Sequence, residues 1–123
     1  MKRLLVGLVA AGALLVTACS KDAEVEEFMK ENEALAKEVK SKGEKDGPEA
    51  AKKAFDAKKD DLKKKYDAIK DARGFQVKEE TMTKLSENLV TAAADVCTLQ
   101  ITTDEDKSKA FRKICDDYGD LFK

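Results

Sequence analysis

Gly43-Glu44-Lys45-Asp46-Gly47-Pro48 is the stretch from which the architecture of this chain can be read. Ahead of it, Val25, Phe28, Asn32, Leu35 and Val39 recur at alternating steps of three and four. That spacing lines one face of an α-helix. Asn32 is the polar exception on the seam. Gly43, with lysines before it, carries the signal of a helix C-terminus. Pro48 suits the first turn of a new helix, because its missing N–H would be unpaired there anyway. The stretch therefore predicts a first helix ending at Gly43, a polar turn, and a second helix from Pro48.

Working outward, the second helix is expected over residues 48–73, with Ala51, Phe55, Leu62, Tyr66 and Ile69 inward and Gly74 as its cap. Glu49/Lys53, Asp60/Lys64 and Asp61/Lys65 are spaced to form ion pairs one turn apart, each worth a few tenths of a kcal/mol. A third helix starts near Lys78, with Met82, Leu85, Leu89, Ala92, Val96 and Leu99 as its apolar stripe. A fourth carries Phe111, Ile114, Cys115, Tyr118, Leu121 and Phe122. No segment shows the period-two alternation of a half-buried strand. Four amphipathic helices with short links predict an all-α fold, an antiparallel up-down-up-down four-helix bundle. The competing arrangement is a long two-helix hairpin that pairs with another chain.

The N-terminal segment has a different character. Lys2 and Arg3 precede an apolar run from Leu4 to Val16. Those residues would span about 20 Å as a helix, at ~1.5 Å per residue. A membrane span needs ~20 residues, whereas a secretory h-region is shorter. Val16-Thr17-Ala18-Cys19 follows, and this segment resembles the signal and lipobox of bacterial lipoprotein precursors. The resemblance implies cleavage before Cys19. It also implies a lipid-modified cysteine bearing diacylglycerol and a fatty acyl chain such as palmitate. Residues 1–18 are then signal peptide, residues 19–23 a lipidated N-terminus and short linker, and residues 24–123 the bundle. Ser20, in place of the Asp that retains enteric lipoproteins in the inner membrane, implies the periplasmic face of the outer membrane in a diderm host. The expected location is the bacterial cell envelope, with the membrane itself as partner through the lipid.

Cys97 and Cys115 are the remaining cysteines. Two thiols in an oxidising envelope predict one disulfide. Geometry then places the turn. A hairpin centred near residue 101 would leave Cys115 about 13 Å from Cys97 along the helix axis, beyond the ~7 Å that a disulfide spans between Cα atoms. The third helix is therefore expected to reach about Ile101, with a polar loop over Thr102-Thr103-Asp104-Glu105-Asp106 and the fourth helix from about Lys107. This choice overrides the capping box that Thr102 and Glu105 would form. The rival roles, a redox pair or two metal ligands, lack CxxC spacing and any neighbouring His.

Composition narrows the function. The chain holds 24 basic and 25 acidic residues and no His. The first 18 residues contain two of those bases and none of the acids, so the remainder carries a formal charge of −3. That balance gives no basic footprint for nucleic acid. The absence of His removes Ser/His/Asp and Cys/His nucleophilic sites and His-ligated zinc or haem. No catalytic residue and no cofactor or metal is expected, and the protein is read as a non-enzyme.

Three further features carry less weight. Residues 37–73 carry 13 bases against nine acids, densest at Lys63-Lys64-Lys65. Interleaved acids make this a solvated, ion-paired face before a polymer or lipid site. Asp104-Glu105-Asp106 lacks the order of a calcium loop and suits a helix N-terminus. Phe28, Phe55, Phe111 and Ala92-Ala93-Ala94 pack as large against small before they frame a cavity. The functional expectation is a structural or protein-interaction role in the envelope, with an envelope protein as partner. The alternative is a lipid-anchored binding protein for a small apolar or anionic ligand.

Overall fold

The computed structural model describes residues 21–72 and 76–123. They form four helices: α1 (Asp22–Asp46), α2 (Pro48–Ile69), α3 (Glu79–Cys97) and α4 (Glu105–Asp120), with a 3₁₀ turn at Thr98–Gln100 after α3. No strand occurs among the described residues. Consecutive helices run antiparallel, giving the up-down-up-down bundle that the sequence predicts.

α1 begins with Asp22 and Glu24 and ends with Lys45, so charges of the favourable sign sit at both ends of its dipole. Its inward stripe is Val25, Phe28, Asn32, Leu35, Val39 and Gly43, as the spacing requires. The expected stop at Gly43 is corrected, because α1 continues to Asp46 and Gly43 is buried. A Cβ on Gly43 would lie 2.9 Å from Leu99 Cδ1 and 3.0 Å from Phe111 Cε1. This glycine serves close approach rather than termination. The chain turns at Gly47, whose φ of 91° is a conformation that side-chain-bearing residues rarely adopt. Pro48 opens α2 as expected.

The other boundaries shift in smaller ways. α1 starts at Asp22, inside the stretch expected to be linker. α2 ends at Ile69, short of the expected Arg73, and the Gly74 cap lies outside the described residues. α4 starts two residues before Lys107 because the Asp104 carboxylate accepts a hydrogen bond from Lys107 N at 3.0 Å. Asp104 is thus the N-cap, and the Thr102 capping box is set aside as the cysteine argument required. Met82, expected inward, is 36% exposed, and Thr81 takes its place in the core.

The helices pack in the ring order α1, α2, α4, α3. Lys65 meets Glu31 and Lys58 meets Glu38, so α1 and α2 are antiparallel neighbours. Lys21 meets Gln76 and Asn32 meets Asn88, so α1 and α3 are parallel neighbours. Phe55 meets Tyr118 and Tyr66 meets Phe122, so α2 and α4 are also parallel. α2 and α3 therefore stand on a diagonal, as do α1 and α4. The core runs the length of the ring. At the end where α1 begins, Phe28, Tyr66, Tyr118 and Phe122 form an aromatic cluster with centroids 5.1–5.8 Å apart.

Candidate functional site

The bundle has two chemically distinct ends. The foot holds Lys21 and the start of α1, the end of α2, the start of α3 and the end of α4. Lys21 N donates to Gln76 O, and Lys21 Nζ donates to Ala68 O at 2.7 Å, tying α1 to its neighbours at this end. Asp22 Oδ1 accepts from Lys78 N at 3.0 Å, which ties the start of α3 to the same corner. Cys19, the expected lipid-bearing residue, lies outside the described residues. By chain length it precedes Asp22 by three residues, a reach of at most about 11 Å.

The opposite end, the tip, is made by the Gly47 turn, the 3₁₀ turn and the first turns of α4. An open cleft of about 1020 Å³ lies between them, walled by Pro48, Ile101 and Ala110 over Gly43, Leu99 and Phe111. Its rim alternates lysines and acids, including Lys45, Asp46, Asp106 and Lys107. Ile101 is 82% exposed there, next to threonines at 102 and 103. Ser108 Oγ donates to Gln100 O at 2.7 Å and fixes the 3₁₀ turn against α4.

Cys97 and Cys115 stand at disulfide distance, with Cα atoms 4.8 Å apart, between α3 and α4. The pair sits below the tip rather than on it, since Cys115 is ten residues into α4. The acidic run at residues 104–106 is a cap and first helical turn, and no group of three or more metal-ligating residues occurs among the described residues. None of the described helices is long and apolar enough to cross a membrane.

Lys63-Lys64-Lys65 belongs to a salt-laced surface. Lys65 reaches Glu31 at 2.5 Å and Asp61 at 3.7 Å, and Lys63 reaches Asp67 at 3.1 Å. Asp61–Lys65 is the expected pair that closes. Base-then-acid pairs also form on α2, with Lys52–Asp56 at 2.7 Å beside Lys63–Asp67. The Lys52 hydrogen bond holds the Asp56 carboxyl below its ordinary range, and Lys63 does the same to Asp67. The Glu31 hydrogen bond raises Lys65. Phe28, Phe55 and Phe111 are buried in the core rather than around a cavity. Phe28 stacks obliquely on Tyr66 and edge-on to Phe122, and Phe55 lies 5.6 Å from Tyr118.

A buried polar network crosses the middle of the bundle. The Tyr118 hydroxyl donates to the Asn32 side-chain oxygen and lies 3.1 Å from the Asn32 backbone oxygen. Asn32 Nδ2 donates to Asn88 Oδ1 at 2.8 Å, and Asn88 Nδ2 donates to Met29 O at 3.1 Å. Burial raises the Tyr118 phenol above its ordinary value, with the Asp95 charge acting in the same direction. Sequence reading picked out Asn32 as a polar residue on an apolar seam but missed Asn88. Asn88 lies three residues after Leu85 and four before Ala92, so it sits on the inward stripe of its own helix. No protein-family model, curated protein or solved structure matches this chain.

Proposed function

We propose that this protein is a lipid-anchored envelope component whose bundle stands on a membrane and acts through protein contact or as a structural element. The observation that carries this reading is the Val16-Thr17-Ala18-Cys19 motif, three residues ahead of the helix that opens the bundle. A tether that short holds the foot of the domain close to the bilayer. More than one acyl chain gives stable anchoring, at ~0.8 kcal/mol for each buried methylene. The tip is then about 37 Å away, the length of α1 at ~1.5 Å per residue. The tip cleft, with its charged rim and exposed Ile101, is the surface best placed for a protein partner. The reading is non-enzymatic because the chain lacks His, which removes the His-dependent nucleophilic and metal sites. An apolar ligand inside the bundle is disfavoured by the aromatic side chains that fill its centre.

Metabolic labelling with an alkyne fatty acid tests the anchor. The wild-type protein should take the label and sediment with membranes, and the Cys19→Ala variant should do neither. An unlabelled wild-type protein would remove the anchor. Photocrosslinking in the producing cell from positions 101 and 107, with position 64 as control, tests the contact role. Equal or absent capture at all three would remove the tip as the interaction surface.

A further inference from the structure

α4 is joined to the bundle differently from the other helices. α1 and α2 share the ion pairs Lys65–Glu31 and Lys58–Glu38. α1 and α3 share the Asn32–Asn88 and Asn88–Met29 hydrogen bonds. The ion pairs of α4 instead stay within the helix and its last turn, as Lys109–Glu105, Lys113–Asp117 and Lys123–Asp120. α4 is held by the burial of Phe111, Ile114 and Tyr118, by the Tyr118 bond to Asn32 and the Ser108 bond to Gln100, and by the cysteine pair. At 16 residues it has little helical stability of its own. Along the chain it hangs from α3 through residues 98–104, of which Leu99 alone is buried.

We infer that the Cys97–Cys115 pair is a redox latch on α4: joined, it keeps the helix on the bundle, and reduced, it lets the helix leave α1–α3 as a unit. Cys97 ends α3 and Cys115 lies within α4, 18 residues apart in sequence. While they are joined, any opening of α4 leaves that loop closed. Once they are parted, the same opening leaves residues 98–123 unconstrained. Closing a loop of this length weighs roughly a hundredfold in the opening equilibrium. Both cysteines are half-buried between α3 and α4 rather than enclosed in the core. A thiolate of a dithiol reductant attacks one sulfur and breaks the S–S bond, and the other cysteine leaves as thiolate. The reductant's second thiolate displaces the first cysteine. The dithiol thus becomes a disulfide, its two electrons pass to the pair, and each cysteine thiolate takes a proton from water. Opening uncovers Phe28 and Phe55, which Phe122 and Tyr118 now cover. The bundle then presents an apolar face in place of a charged helix. This latch does not depend on the lipid anchor.

The test compares the purified protein with and without dithiothreitol, read by amide hydrogen exchange and by binding of an apolar fluorescent dye. Reduction should speed exchange in α4 by roughly a hundredfold. In the reduced sample α4 should also exchange about tenfold or more faster than α1 and α2, as a separate cooperative unit does. Dye binding should rise while most of the helical circular dichroism remains. The double variant Cys97→Ser/Cys115→Ser should behave without reductant as the reduced wild type does. Equal exchange of α4, α1 and α2 after reduction overturns the latch, because the bundle then opens as one unit. So does exchange in α4 that reduction leaves unchanged. Loss of all helical signal on reduction overturns it as well, since the pair would then hold the whole fold.

Discussion

Tyr118 and Asn32, 86 residues apart in sequence, meet across the diagonal of the ring, where the phenol hydroxyl donates to the asparagine side-chain oxygen. Both residues are fully buried. Asn32 then passes its own donor to Asn88 on α3. One side chain on α1 thereby specifies the height of two other helices.

Removing one partner leaves a buried polar group unsatisfied, which costs about 1–3 kcal/mol. Tyr118→Phe and Asn32→Leu should each lower the unfolding free energy by about that much in urea titrations. The double variant should lose less than the sum, since neither group is then orphaned by the other. Strictly additive losses would show that the two residues are not coupled.

The phenol also links stability to alkaline pH. Its folded pKa lies above the unfolded value of about 10 because burial disfavours the phenolate. Below about pH 10 both states keep the proton and the contribution is fully present. As pH rises past that point the unfolded chain loses the proton first, so stability falls. Denaturant midpoints from pH 9 to 11 should drop less steeply for Tyr118→Phe than for the wild type. Parallel slopes would contradict the raised pKa.

Gly43 tests the close approach at the tip. Alanine gains up to about 1 kcal/mol of helix propensity, but its Cβ must displace Leu99 and Phe111. Overpacking costs about 1–3 kcal/mol, so Gly43→Ala should be net destabilising by about 1 kcal/mol. Adding Leu99→Ala should make the alanine at position 43 neutral or favourable. A stabilised single variant would show that the tip has room the structure does not indicate.

Thiol titration of the unreduced, denatured domain should find Cys97 and Cys115 blocked. Reduction should lower its stability by roughly 3 kcal/mol, the chain-entropy estimate for closing a loop of this length. Two free thiols under air would remove the staple.

Much of the helical pattern was legible because apolar residues step by three and four in every segment. The cysteine spacing located the last turn, and the capping carboxylate of Asp104 moved the helix start by two residues. Gly43 misled for a physical reason: a glycine that ends a helix and one that admits a neighbour look alike until the neighbour is known. Met82 misled because Thr81 next to it is small enough to face the core. The ring order was not legible, since heptad spacing tells which face is inward but not which helix lies beside it. The tip cleft was equally hidden, being assembled from two turns more than 50 residues apart.

The ring order gives the segment between α2 and α3 a role beyond joining them. Opposite corners of four helices packed ~10 Å apart are separated by about 14 Å. The chain from residue 70 to 78 can cover that distance, at ~3.4 Å per residue. A two-residue link cannot, and would place α3 beside α2 with Asn88 out of reach of Asn32. Loop length thus acts as a topology selector, and trimming this segment should rewire the bundle rather than merely tighten it.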